Sequence, residues 1–137
     1  TGRRATVGGA LRAAVLALGG RCESGIGVVT RAVKLDAALD AADLVITGEG
    51  SFDHQSLRGK VVAGVAGAAR DRGVPCVVLA GRVSTGRREA AAAGVTDAYS
   101  LVDHFGGEER GGVDAAMTRP AEGLRALGAR LAGQWSR

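Results

Sequence analysis

The sequence has few aromatic residues, little lysine and no long apolar run, and each absence argues against a class of function. Aromatic side chains make up 3% of the chain, whereas proteins that read RNA or single strands stack bases on aromatic rings. The net charge is +4, but it is not concentrated in a basic patch, because the chain has two lysines, Lys34 and Lys60, and its arginines are scattered. The charge is therefore no evidence for a nucleic-acid partner. No apolar run approaches the ~20 residues that a membrane helix needs. We therefore expect neither nucleic acid nor a membrane as partner.

Cysteine is also scarce. Cys22 and Cys76 are the two cysteines, and their spacing supports neither a zinc site nor a disulfide scaffold. Cys76 lies in an apolar run, where a small buried thiol is expected. No charged-then-apolar secretory leader opens the sequence. These features favour a reducing compartment, and we expect a cytoplasmic protein.

Three short apolar segments, at 43–47, 74–80 and 98–102, predict β-strands. Segments with helical spacing of apolar residues separate them and follow the last one, and further helices precede the first strand. The order β-α-β-α-β-α predicts a small parallel sheet covered by helices on both faces, a three-layer, Rossmann-like α/β fold. With 137 residues, the chain is long enough for one such domain, spanning 1–137.

Polar and glycine residues follow the predicted strands, at the carboxyl edge where open parallel sheets bind ligands. The segment after the first strand is the richest, and a shorter one follows the second. We expect a ligand site built from Gly48, Glu49, Gly50, Ser51, Asp53, Gln55, Ser56, Gly59, Lys60, Gly81 and Arg82.

The predicted roles follow from side-chain chemistry. Glu49 and Asp53 are two nearby carboxylates of the kind that hold Mg²⁺ together with phosphate oxygens. Lys60 lies near the start of the next helix, where its ammonium and the free backbone N–H groups suit an anion. Asp53 and Ser56 also fit turn and cap roles, and Lys60 fits a solvated surface charge. Arg82 suits a carboxylate or a phosphate, or is a surface arginine.

At this point the sequence resembles a known family. The segment 43–50, followed by Asp53, Gln55-Ser56 and Gly59-Lys60, is similar to the TGEG-x-x-D-x-Q-[ST]-x-x-GK signature of the bacterial glycerate 2-kinase family. The segment 73–81 resembles the family's GVP-x-x-x-LAG strand. Nearly the whole chain resembles the C-terminal part of family members, which are more than twice as long. Two family motifs, one N-terminal and one a glycine-rich segment, have no counterpart in this sequence.

The resemblance implies ATP-dependent phosphorylation of D-glycerate, with Mg²⁺, by a two-domain α/β enzyme of which this chain is the C-terminal portion. It implies that Glu49 and Asp53 orient the metal or the substrate hydroxyl and that Lys60 neutralises phosphate charge. We expect the chain to need the missing N-terminal part, in the same or another chain, for activity. Two alternatives remain open: a truncated, non-catalytic domain that acts as a binding or interaction module, and a flavodoxin-like domain for another phosphorylated ligand.

Overall fold

Three parallel strands form the centre of the molecule in a computed structural model that describes residues 7–57 and 61–136. The strands are β1 (Val45–Phe52), β2 (Cys76–Val83) and β3 (Asp97–Ser100), and they lie side by side in that order. Val45 pairs with Cys76, and Val77 pairs with Asp97. The predicted parallel α/β fold is confirmed.

Eight α-helices and one short 3₁₀-helix (Glu108–Arg110) accompany the sheet in the described residues. The α-helices are α1 (Val7–Ala17), α2 (Gly25–Ala32), α3 (Leu35–Asp40), α4 (Val61–Arg70), α5 (Arg87–Ala92), α6 (Leu101–His104), α7 (Gly112–Thr118) and α8 (Pro120–Trp135). Among residues 7–57 and 61–136, no helix has the length and the hydrophobicity that a bilayer-spanning segment requires.

One face of the sheet packs against α4 and α5. Val62 and Ala66 of α4 are fully buried and contact a cluster that includes Val45 of β1 and Val78 of β2. These residues repeat at helical spacing in α4 and at alternate positions in each strand, so each element turns one apolar face to the core. Burial of these side chains is the main stabilising contribution on this side.

The opposite face carries a smaller cluster formed by the C-terminal helices. Leu101 and Val102 of α6, Ala116 of α7 and Leu127 of α8 are buried together, and Leu79 of β2 packs against them. The sheet therefore lies between two helical layers, as predicted.

The first two strands are longer than predicted. We expected β1 to end at Thr47 and the glycine-rich segment after it to be a turn, but the strand continues to Phe52, which pairs with Val83. Gly48 and Gly50 therefore lie within the strand and not in a loop. Glycine has a weak preference against strands, and pairing with a neighbouring strand is enough to override it.

The third strand is shorter than predicted, because a helix begins inside the expected segment. The Ser100 side chain accepts a hydrogen bond from the Asp103 backbone N–H at 3.1 Å, so Ser100 is the N-cap of α6. Positions 101–102, expected in the strand, and the two residues after them are therefore helical. Helix α7 was not predicted as a separate element. Helix α1 spans Val7–Ala17, so Gly8 and Gly9 lie inside it.

Candidate functional site

Two glycines bring β1 and β2 unusually close at their carboxyl ends. A Cβ atom on Gly48 would lie 2.2 Å from the Leu79 carbonyl oxygen, and one on Gly81 would lie 2.5 Å from the Gly50 carbonyl oxygen. Both distances are far below van der Waals contact, and both neighbours are backbone atoms that cannot move aside. Gly48 and Gly81, which we predicted to bind ligand, are therefore required for strand packing whether or not they also contact a ligand.

Gly50 is different, because nothing in the described residues lies within 4 Å of a Cβ built on it. Its backbone conformation is also one that other residues adopt, since its φ is not positive. Neither packing nor backbone geometry explains a glycine at this position. Gly50 lines an open cavity beside the sheet, so its missing side chain leaves room for another group to approach the backbone.

Glu49 lies between Gly48 and Gly50 in β1, and its side chain is partly buried. Its Oε1 atom is shielded from solvent and has no hydrogen-bond partner in the described part of the chain. A buried carboxylate oxygen without a partner is destabilising, since desolvation of a charged group is compensated only by a hydrogen bond, a counter-charge or a metal. Glu49 is thus the site residue that most clearly calls for an additional binding partner.

Asp53 and Ser56 form the turn that follows β1. Asp53 Oδ1 accepts hydrogen bonds from the backbone N–H of Gln55 at 2.8 Å and of Ser56 at 3.2 Å. Ser56 Oγ accepts one from the Asp53 N–H and donates one to the Ser51 carbonyl, each at 3.2 Å. The turn and cap roles considered for Asp53 and Ser56 are therefore present in the structure, and Ser56 is 1% exposed.

The remaining polar residues of this segment are at the surface. Ser51 is exposed at the end of β1, and its backbone carbonyl anchors the turn through Ser56. Gln55 is exposed as well, and its backbone takes part in the turn. The structure thus places both residues at the carboxyl edge of the sheet, where a bound molecule could reach their side chains.

Arg82 lies near the end of β2 and forms an ion pair with Glu108. Its Nη2 atom lies 2.7 Å from Oε1 of Glu108, in the 3₁₀-helix. Both side chains are about half exposed, so the pair contributes little to stability. We expected Arg82 to bind a carboxylate or a phosphate, or to be a surface arginine. In the structure it binds a carboxylate of the chain itself, that of Glu108. Sequence reasoning missed Glu108, because no local pattern connects it to Arg82.

Gly59 and Lys60 lie outside the described residues, so the predicted phosphate role of Lys60 stays a prediction. Helix α4 begins at Val61, directly after them. In the described residues, no group of three or more His, Cys, Asp or Glu side chains could hold a metal ion. The expected site needs only Glu49 and Asp53 beside phosphate oxygens, and that arrangement also stays a prediction.

An open cavity of about 600 Å³ lies beside these residues, and sequence reasoning missed it. Its floor is the exposed face of β1 and β2, from Ile46 to Gly50 and from Leu79 to Arg82. Helices α6, α7 and α8 form its other side. The lining is largely apolar, and the site residues Gly48, Glu49, Gly50, Gly81 and Arg82 form its polar end.

Comparison with known proteins gives one consistent family. A model described as the glycerate kinase family matches residues 2–136. The chain is 34% identical over 131 residues to the glycerate 2-kinase of Escherichia coli (strain K12), covering 91% of this chain and 34% of that protein. It is 40% identical over 78 residues to the glycerate kinase of Bacillus subtilis (strain 168), covering 57% of this chain and 20% of that protein.

A solved structure agrees with these relatives. The crystal structure of a putative glycerate kinase 2 from Salmonella typhimurium LT2 superposes with a TM-score of 0.53 at 31% sequence identity, covering 94% of this chain and 32% of that one. The chain thus spans about a third or less of the length of the proteins that it matches.

Proposed function

The chain belongs to the glycerate kinase family, and on that premise we propose that it is the C-terminal portion of an enzyme that phosphorylates D-glycerate with ATP. Membership supports a kinase with a small-molecule substrate. The finer assignment is supported by one observation above all: the buried, unpartnered Oε1 of Glu49 at the carboxyl end of β1.

In the proposed reaction, a hydroxyl oxygen of D-glycerate bonds to the γ-phosphorus of ATP, the bond from that phosphorus to ADP breaks, and the hydroxyl proton leaves. Glu49 Oε1 accepts the hydrogen bond of this hydroxyl and then its proton, since this oxygen has no other partner in the described residues. Because this oxygen is shielded from solvent in the structure, the Glu49 side chain has to turn before the substrate hydroxyl can reach it. Gly50, which has open space around its α-carbon, lets the substrate approach the strand closely.

The residues of the turn after β1 fit a magnesium–phosphate group beside Glu49. Mg²⁺ bound with ATP would neutralise charge on the transferred phosphoryl group. Asp53 would hold it, and the hydrogen bonds that its Oδ1 atom accepts from the N–H groups of Gln55 and Ser56 fix the Asp53 side chain for that role. Lys60 directly precedes α4 in the sequence and would add positive charge there, where a helix N-terminus favours an anion.

This function is tested by measuring ADP release in the presence of D-glycerate, ATP and Mg²⁺. The assay compares the 137-residue chain alone with a chimera in which the chain replaces the matching third of the Escherichia coli glycerate 2-kinase. We expect turnover from the chimera and none from the chain alone. A folded chimera that binds ATP or D-glycerate without turnover would contradict the proposal and favour a non-catalytic binding module.

Variants of the chimera test the residue roles. We expect Glu49→Gln and Lys60→Ala each to lower turnover by at least about tenfold, which corresponds to ~1.4 kcal/mol in the barrier. The matched control is Glu109→Gln, which removes the same charge from an exposed glutamate of the 3₁₀-helix and should leave turnover unchanged. Equal activity of the Glu49→Gln variant and the control would remove Glu49 from the reaction.

A further inference from the structure

The cavity beside β1 has an apolar wall that the proposed reaction does not use. Ile46 of β1, Val113 and Met117 of α7 and Leu124 of α8 line it. Their exposed fractions run from 42% for Leu124 to 78% for Met117, although all four are large hydrophobic residues. Apolar residues gathered along one cavity, unlike scattered ones, indicate a surface that binds a partner. We call these four residues the apolar wall.

The strand that carries Ile46 is also open along its side. Within the described residues β1 pairs only with β2, so its other edge presents unpaired backbone N–H and C=O groups. A long exposed edge strand beside an apolar face is a template for pairing with another segment of polypeptide. It carries no proline or lysine that would discourage such pairing.

The chemistry of the wall does not suit the small polar molecules of the proposed reaction. D-glycerate and phosphate groups are strongly hydrated, and contact with four hydrocarbon side chains would cost them hydrogen bonds to water. The polar end of the cavity, at Gly48, Glu49 and Arg82, suits them better. The apolar wall therefore calls for an occupant that is itself apolar.

The proteins that this chain matches are longer than it is, and their remaining part is a candidate for this occupant. About two thirds of the Escherichia coli glycerate 2-kinase has no counterpart in this chain, although 91% of this chain matches it. We propose that the apolar wall and the open edge of β1 are the surface on which the remainder of the glycerate kinase polypeptide docks. That remainder covers Ile46 and Met117 and borders the polar end of the cavity, so the site is completed at this interface. The inference rests on family membership and on the exposed wall, and it holds independently of the reaction proposed above.

The docking surface is tested by thiol labelling, which needs no catalytic activity. Ile46→Cys and Met117→Cys are made singly in a Cys22→Ser background, in the 137-residue chain and in the chimera described above. Val33→Cys is the matched control, since Val33 is 63% exposed at the end of α2 and is not among the cavity-lining residues. Both wall thiols should label quickly in the chain alone and at least about tenfold more slowly in the chimera, whereas the control should label equally fast in both.

The same experiment separates the proposal from its alternatives. Equal labelling of the wall thiols in the chain and in a folded chimera would overturn it, as would an equal slowing of the control. Slow labelling in the chain alone, together with a dimer by sedimentation, would make a second copy the occupant. Protection of the wall in the chain by Mg²⁺–ATP alone would make a nucleotide the occupant. Either result would overturn the proposal.

A second measurement tests the proposal without the chimera, in case the chimera does not fold. The remainder of the Escherichia coli protein, produced as a separate polypeptide, is added to the chain carrying an environment-sensitive dye on the Ile46→Cys thiol. We expect a saturable change in dye emission, and none for the dye at position 33. Absence of any change at position 46, when the chimera also fails to fold, would count against the proposal.

Discussion

Asp53 and Ser56 support the same turn by reciprocal hydrogen bonds: Asp53 Oδ1 accepts from the Ser56 N–H, and Ser56 Oγ accepts from the Asp53 N–H, each at 3.2 Å. Helix capping boxes use the same exchange, in which two side chains satisfy each other's backbone donors, but here it closes a turn. Asp53 therefore combines a structural role with the proposed role toward Mg²⁺. The two roles use different properties of its side chain, the acceptor oxygen and the negative charge.

The first prediction separates these two roles with two substitutions. Asp53→Asn keeps an acceptor oxygen and removes the charge, so the free energy of unfolding of the chain should change by less than about 0.5 kcal/mol. Asp53→Ala removes the acceptor and should lower it by about 1–2 kcal/mol. Urea unfolding of the chain provides both values. If Asp53 holds Mg²⁺, both variants of the active chimera should lose turnover by at least about tenfold. A fully active Asp53→Asn chimera would leave Asp53 with the turn role alone.

The second prediction compares Gly48 with Gly50, which share a strand and the same cavity. Gly48→Ala would place its Cβ against the Leu79 carbonyl, so the strands must separate, and the free energy of unfolding should fall by about 1–3 kcal/mol. Gly50→Ala meets open space and should change it by no more than about 0.5 kcal/mol. Thermal unfolding of the two variants measures the difference. Similar losses for both would show that Gly50 is also required by packing.

The Gly48–Gly50 pair also shows how far sequence reasoning reaches. The apolar and β-branched run at 43–47 was enough to place a strand and, with its successors, a parallel sheet. The burial that such a run predicts is not found, because β1 lies at the edge of the sheet and Ile46 is 54% exposed. The end of that strand could not be predicted, because Gly48 and Gly50 indicate a turn locally and only the pairing of β1 with β2 overrides them. The carboxyl-edge position of the candidate site follows from the predicted parallel sheet and stays a prediction. The apolar wall was not, because Ile46 and Met117 belong to different elements whose meeting depends on tertiary packing.

The third prediction concerns the ion pair of Arg82 with Glu108. The two side chains are about half exposed, so Glu108→Gln should change the free energy of unfolding by less than about 1 kcal/mol. It should, however, release the Arg82 guanidinium for an anionic ligand at the polar end of the cavity. If Arg82 binds phosphate or D-glycerate, the KM of the chimera for one substrate should fall in Glu108→Gln and rise in Arg82→Gln. Unchanged KM values in both variants would make the pair a surface contact only.

The fourth prediction concerns reactivity of the two cysteines. Cys76 is fully buried in β2, whereas Cys22 is exposed. Burial raises the pKa of the Cys76 thiol to about 11, so at pH 8 it should be both shielded and protonated. A thiol reagent should therefore modify one cysteine of the native chain and two of the chain in denaturant. In the Cys22→Ser variant, the reagent should modify no cysteine of the native chain and one cysteine in denaturant. Rapid reaction of two thiols in the native chain would contradict the burial of Cys76.

The same burial predicts how stability depends on pH. The pKa of Cys76 is higher in the folded chain than the ordinary value of 9.0, so the folded state binds this proton more tightly than the unfolded state does. The stabilisation is complete below pH 9 and is lost as the pH rises through 9 toward about 11. The free energy of unfolding should fall more steeply over this interval in the native sequence than in Cys76→Ala. The variant is the control, because all other groups that titrate at alkaline pH are the same in the two proteins. Parallel curves for the two proteins would show that the thiol is not protected from ionisation by the core.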